Sequence, residues 1–199
     1  NTVVVEPSGA LRGANTDVAG FMEPLAGRVL AGRSATVLGA GGAARAVLAG
    51  LRDAGIAEVT IVARDAGAAA ALLARFGLAG RVQGFDQPLP AETALLVNAT
   101  SLGMVGKDPL VVDLGPLGPD TVVYDLVYAP LETGLLAAAR RRELPAIDGL
   151  SMLIGQAAPA FAAFFGATPP RHRDAELRAL LVGAAWASGH ERAGMSERA

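Results

Sequence analysis

A short apolar strand that runs without a break into a glycine-rich turn, and then into a helix of small residues, restricts this chain more than any other feature. Ala35-Thr36-Val37-Leu38 supplies the strand, Gly39-Ala40-Gly41-Gly42-Ala43-Ala44 the turn, and Ala43 to Ala54 the helix. The pattern GxGxxA carries weight only between a strand and a helix, and here it has both. Gly39 permits the tight turn, Gly41 lets backbone approach a diphosphate, and Ala44 lets helix and strand pack closely. The helix start then offers unpaired N–H groups and partial positive charge to an anion. An ordinary glycine-rich turn is the bland alternative. The flanking elements favour a dinucleotide.

The end of the second strand selects which dinucleotide. An NAD site usually places Asp or Glu there, about 20 residues past the loop, to hold the ribose 2′-hydroxyl. Here Glu58 to Val62 reads as the strand and is followed by Ala63-Arg64-Asp65. Arg64 can offer a planar charged fork to a 2′-phosphate, whereas the Asp65 carboxylate would repel one. The balance favours NADP, with NAD as the alternative and a plain surface charge as the bland reading of Arg64.

The remaining pattern extends one α/β architecture. Strands are expected near Arg81 to Phe85, Leu95 to Asn98, Thr121 to Asp125 and Pro145 to Ile147, with helices over Ala66 to Phe76 and Thr133 to Arg142. Strands separated by helices or long connections predict a doubly wound parallel sheet of Rossmann type, covered on both faces. Thr2 to Glu6 and Ala10 to Gly13 read as a hairpin turned at Pro7-Ser8-Gly9. Asn15-Thr16-Asp17 offers capping side chains to an apolar segment, Val18 to Leu30, kinked near Pro24. Ser151 to Phe165 and Asp174 to Ala187 read as closing helices.

Composition removes several function classes. Net charge is −2 over 199 residues, so no basic field exists to hold nucleic acid or an anionic membrane surface. The most apolar stretch, Ser151 to Ala167, contains Gln156 and Pro159 and is shorter than the ~20 residues of a span, so it reads as a buried helix. Cysteine is absent, which excludes thiol chemistry and suits a reducing, cytoplasmic setting. His172 and His190 stand alone and make no metal site. Asn98-Ala99-Thr100 is formally a glycosylation sequon, but it falls at a strand end in a chain that opens without a signal peptide. Arg140-Arg141-Arg142 closes a helix, where cations suit the dipole.

Beyond the glycine loop, ordered matches run along the chain: Asn1-Thr2, Gly13-Ala14-Asn15-Thr16-Asp17 with Gly20-Phe21, Asn98-Ala99-Thr100-Ser101 with Gly103-Met104, Tyr124-Asp125 with Tyr128, Pro130 and Thr133, and Asp148-Gly149-Leu150 with Met152, Leu153 and Gln156. In this order, over residues 1 to about 166, the chain resembles the shikimate dehydrogenases, NADP-dependent enzymes that interconvert 3-dehydroshikimate and shikimate. That family has an N-terminal substrate lobe, a C-terminal dinucleotide lobe and a cleft between them. The resemblance implies that Asn1, Asp17 and Gln156 hydrogen-bond the substrate and that Tyr128 lines its pocket. It assigns the cofactor to Gly39, Ala40, Gly41, Gly42, Ala43 and on to Arg45, with Arg64, Thr100, Ser101, Leu126, Gly149 and Met152. In the family a lysine pairs with the aspartate matching Asp17 and assists proton transfer. Helix capping for Asp17, and a backbone or water partner for Gln156, are the bland alternatives.

Two departures stand out. The 2′-phosphate cluster usually reads Asn-Arg-Thr with a further basic residue, where this chain has Ala63-Arg64-Asp65 and then Ala68. The family's lysine and serine substrate ligands lie before the motif that starts at Asn1, and Lys107 sits in a loop with no matching motif. The chain is therefore expected to be N-terminally truncated and inactive alone. The expected organisation is the end of a substrate lobe over 1–16, a connecting helix over 17–33, a dinucleotide-binding domain over 34–150, closing helices over 151–187 and a tail over 188–199. The expected partner is a small-molecule substrate, in a monomer or homodimer. A quinate or aminoshikimate dehydrogenase using NAD or NADP, and a non-catalytic nucleotide-binding module, are the rival functions.

Overall fold

The computed structural model describes residues 1–183. The end of the last closing helix, the tail over 188–199 and His190 lie outside the described residues. Six strands form one sheet: β3 (Ser34–Leu38), β4 (Glu58–Val62), β5 (Gly80–Gln83), β6 (Thr93–Asn98), β7 (Val122–Asp125) and β8 (Ala146–Ile147). Their spatial order is β5-β4-β3-β6-β7-β8, and every neighbouring pair is parallel. Counted from β3, this is the 3-2-1-4-5-6 order of the doubly wound dinucleotide fold. A separate antiparallel hairpin, β1 (Thr2–Val5) and β2 (Leu11–Ala14), precedes it.

Among the described residues five helices flank the sheet, α1 (Asp17–Met22), α2 (Gly42–Asp53), α3 (Ala66–Phe76), α4 (Gly134–Arg141) and α5 (Gly149–Phe165), and residues 174–183 are also helical, within the closing helix expected over 174–187. In α2 the residues Ala44, Val47, Leu48 and Leu51 are fully buried. Their spacing puts them on one helical face, which is why this segment docks as a helix. They share a core with Ala35, Val37, Val59, Ile61, Val97, Tyr124, Phe21 and Met152. Leu38, Val62, Leu96 and Val123 point the other way and meet Leu135, Ala139, Leu114 and Leu117. Alternate strand residues thus feed two cores, as a sheet buried on both faces requires.

The segment expected as a connecting helix over 17–33 is helical only to Met22. A 3-10 turn over Glu23–Leu25 follows, with Pro24 inside it, and the chain then runs as turns to β3. Pro24 has no N–H for a continuing helix, so the break falls where the sequence placed it, but helix does not resume. Capping also differs. Thr16 is the N-cap of α1 yet makes no capping bond. Its backbone N–H and hydroxyl instead donate to Asn1 Oδ1 at 2.8 and 3.3 Å.

α1 lies against α5 at Gly20. A Cβ there would stand 2.6 Å from the Met152 carbonyl oxygen and 2.7 Å from Gln156 Cβ. The stack of Phe21 on Tyr124, with ring centroids 5.4 Å apart, ties α1 to β7 as well. Gly20→Ala should therefore lower stability by about 1–3 kcal/mol, the usual cost of overpacking. Thermal unfolding measures it, and an unchanged Tm would mean that the two helices are not in backbone contact.

Candidate functional site

The strand ends Leu38, Val62, Gln83, Asn98 and Asp125 lie in register along one edge of the sheet. In open parallel sheets the ligand crevice opens at this carboxyl edge, where the strand order reverses. Here the reversal falls between β3 and β6. Gly39 leaves β3 with φ +98°, a backbone conformation that side chains resist. A Cβ at Gly39 would lie 2.8 Å from Thr100 Cγ2 and 3.2 Å from the Ala99 carbonyl oxygen. The two loops at the switch point therefore touch, and Gly39 is the residue that allows it.

Beyond that contact the loop is open. Gly41, the N-cap of α2, and Gly42 would each carry a Cβ into empty space. This is the cradle a diphosphate needs: exposed backbone at the start of a 12-residue helix, with no side chain in the way. Arg64 is exposed just past β4. Asp65, expected to compete with it, is occupied elsewhere, because its Oδ1 accepts from the Ala68 N–H at 2.9 Å and caps α3.

Next to the switch point lies a cavity of about 320 Å³ lined by Ala43, Thr100, Ser101, Leu126, Tyr128 and their neighbours. Five residues singled out from sequence thus converge on one space. Tyr128 is 52% exposed at its rim. Gly149 and Met152 sit deeper, in packing. Gly149 lies so close to the Leu126 loop that a Cβ would be 2.4 Å from the Leu126 carbonyl oxygen. Met152 belongs to the core.

The polar residues assigned to substrate gather around α1. Asn1 Nδ2 donates to Asp17 Oδ1 at 2.6 Å. Asp17 is the first residue of α1 rather than its cap, so its carboxylate is not spent on capping. Gln156 is half-buried beside Gly20, one helical turn from Asp17. Both stand on the face of the sheet that carries α2 and the glycine loop. Lys107 lies elsewhere, in a small cavity with Pro109, Leu110 and Gly134.

A buried polar cluster behind the cavity was not assigned a role from sequence. Asp125 is fully buried; its Oδ1 accepts from Asn98 Nδ2 at 2.8 Å and Val127 N–H at 3.0 Å, and its Oδ2 accepts from the Thr133 hydroxyl at 2.7 Å. Burial pushes its carboxyl above the usual range, and the bonds from Thr133, Val127 and Asn98 pull back against that shift. The available signal was an aspartate ending an apolar strand, since such a group needs partners. At the start of α5, Asp148 caps through the Ser151 N–H and is paired with Arg178. Desolvation opposes its ionisation, but Arg178 and Ser151 outweigh it and hold its carboxyl below the ordinary value.

Comparison with known proteins fits this geometry. A model of the shikimate 5′-dehydrogenase C-terminal domain matches residues 149–176. The NADP(+)-type shikimate dehydrogenase of Sphingopyxis alaskensis is 58% identical over 182 residues, covering 92% of this chain and 66% of that protein. The one from Rhodospirillum rubrum is 47% identical over 92% of this chain and 68% of its own length. The chain belongs to the shikimate dehydrogenase family. It spans just under two thirds of the first of these relatives and slightly more of the second. Among solved structures, shikimate 5-dehydrogenase from Thermus thermophilus, in complex with NADP(H) and shikimate, has a TM-score of 0.74 at 37% identity. That match covers 87% of this chain and 65% of the other.

The Gly39–Thr100 contact is directly testable. Gly39→Ala should cost about 1–3 kcal/mol through its positive φ and the clash with Thr100 Cγ2. Thr100→Ser removes that methyl while keeping the hydroxyl, so the double variant should recover part of the loss. Purely additive unfolding energies would show that the two loops are not in contact.

Proposed function

We propose that the protein is an NADP-dependent shikimate dehydrogenase, with this chain supplying the dinucleotide lobe and one border of the substrate cleft. The observation that carries this reading is the contact of the glycine loop with the Thr100 loop at the switch point, beside the cavity that gathers Ala43, Thr100, Ser101, Leu126 and Tyr128. Ala40, Gly41, Gly42 and Ala43 hold the diphosphate through backbone N–H groups, and Gly39, whose own N–H donates to the Val62 carbonyl at 2.7 Å, makes the turn that presents them. Thr100, Ser101, Leu126, Gly149 and Met152 shape the space for the nicotinamide end. Arg64 meets the 2′-phosphate; the capping bond made by Asp65 supports this, since the carboxylate faces its own helix start.

Bound NADPH supplies the hydride that reduces the 3-dehydroshikimate carbonyl carbon. The carbonyl oxygen then needs a proton, and an ionisable pair with tuned acidity suits that task. Asp17 belongs to this pair; the lysine that the family sets against it is not among these 199 residues, and Lys107 lines a separate small cavity with Leu110 and Gly134. Asn1 orients the Asp17 carboxylate through its amide and, with Gln156 and Tyr128, binds substrate hydroxyls. No helix among the described residues is long and apolar enough to cross a membrane. The setting we infer is cytoplasmic, with a small-molecule substrate and no nucleic acid partner.

Calorimetric titration should show NADPH binding more tightly than NADH. Arg64→Ser should weaken NADPH about tenfold, the loss of one charge-assisted phosphate contact, and leave NADH unchanged. Equal affinity for both cofactors in the parent protein would remove the NADP assignment. Turnover of quinate rather than shikimate by the full-length protein would replace the substrate.

A further inference from the structure

The cavity has two walls that come from different strands. One is Ala99-Thr100-Ser101 after β6; the other is Leu126-Val127-Tyr128-Ala129 after β7. Neither wall is regular structure, so each needs an outside constraint to hold its shape. Backbone bonds hold part of each, from the Ala99 N–H to the Leu38 carbonyl and from the Leu126 N–H to the Asn98 carbonyl, and the side-chain bonds to both trace to one group.

Asn98 Oδ1 accepts from the Thr100 N–H at 3.0 Å and the Thr100 hydroxyl at 2.7 Å, which folds the first wall. Asn98 Nδ2 donates to the Leu102 carbonyl at 3.3 Å and to Asp125 Oδ1 at 2.8 Å. The same Asp125 oxygen accepts the Val127 N–H at 3.0 Å, which folds the second wall. Asp125 Oδ2 takes the Thr133 hydroxyl, and Thr133 Oγ1 accepts the Leu136 N–H at 3.2 Å at the start of α4. The Thr133 oxygen accepts from a backbone N–H while its hydroxyl donates to the carboxylate. Asn98 can present only its amide nitrogen to Asp125, because its oxygen holds Thr100. A carboxylate accepts from all sides, and no other side chain of this size does so.

We infer that Asp125 is a positioning residue: through Asn98 and the Val127 N–H it fixes both walls of the space that takes the nicotinamide end of the cofactor. This rests on the proposed NADP(H) reading and deepens it. The diphosphate and adenosine end uses the glycine loop and Arg64, which make no bond to this cluster. Its effect is therefore confined to one half of the ligand.

Asp125→Ala tests this, because it removes the one oxygen that both Asn98 Nδ2 and the Val127 N–H use, and so releases both walls. Binding of NADPH and of ADP-ribose 2′-phosphate, the same molecule without its nicotinamide, is measured by calorimetry on parent and variant. We expect NADPH affinity to fall about tenfold or more while the fragment stays within about twofold. Thr133→Val is the control: it removes a helix cap and one donor but touches neither wall, so it should lower Tm and leave the ratio of the two affinities unchanged.

An unchanged ratio in Asp125→Ala, or an equal loss for both ligands, overturns the inference and leaves the cofactor reading intact. Failure of the parent to bind either ligand overturns the cofactor reading itself. Should Asp125→Ala not fold, amide exchange on the parent decides. The N–H groups of Thr100 and Val127, and of Leu102, which donates to Thr100 Oγ1 at 3.1 Å, should exchange with matching protection, since one cluster holds them, and Val127 exchanging independently of Thr100 would refute it.

Discussion

The meeting of two loops at the β3–β6 junction constrains everything else in this molecule. The strands pair in parallel to their last residues, with Leu38 opposite Asn98 and the Leu38 carbonyl accepting the Ala99 N–H at 2.9 Å. One chain must then turn into α2, while the other turns away toward β7. They diverge within two residues only because Gly39 has no side chain where Thr100 passes. That close pass puts the N-terminus of α2, with its partial positive charge, directly beside the Thr100–Ser101 wall. Anion-binding backbone and the polar wall thus become neighbours through a single packing requirement.

Much of this was legible because the boundaries carry their own chemistry. The strand Glu58–Val62 and the helix Ala66–Phe76 fall where the sequence places them, to the residue. Asp65 caps that helix and Gly77 ends it at φ +63°, so both limits are local signals. The stretch after Asp17 shows the opposite case. Asn15, Thr16 and Asp17 look like caps; Asn15 Oδ1 does accept the Asp17 N–H at 3.1 Å, but the Thr16 hydroxyl and N–H are taken by Asn1, fifteen residues away. A local reading has no access to a partner at that distance. The Asp65 carboxylate shows the same limit in reverse: beside Arg64 in sequence it looks like a rival for phosphate, and in space it serves a helix end.

The polar cluster behind the cavity was hidden for a related reason. Asn98, Asp125 and Thr133 are separated by 27 and 8 residues, and they meet only because β6 and β7 pair in the register that sets Asn98 opposite Asp125. A shift of one residue would turn both side chains to the other face. Sequence can say that an aspartate closing an apolar strand must find donors. It cannot say that those donors are the two loops bordering a ligand space.

β7 carries the last link, since successive residues along it face opposite sides of the sheet. Val123 packs with α4 and its surroundings, Tyr124 stacks on Phe21 of α1, and Asp125 anchors the loops at the strand end. The helix that begins with Asp17 therefore leans on the residue adjacent to the one that anchors the loops bordering the cavity. α5 closes the circuit, with Gly149 against the Leu126 loop and Met152 and Gln156 against Gly20. The Asp17 helix and the loops bordering the cavity are thus referred to one four-residue strand, buried on both faces and paired on both edges, with β6 on one side and β8 on the other.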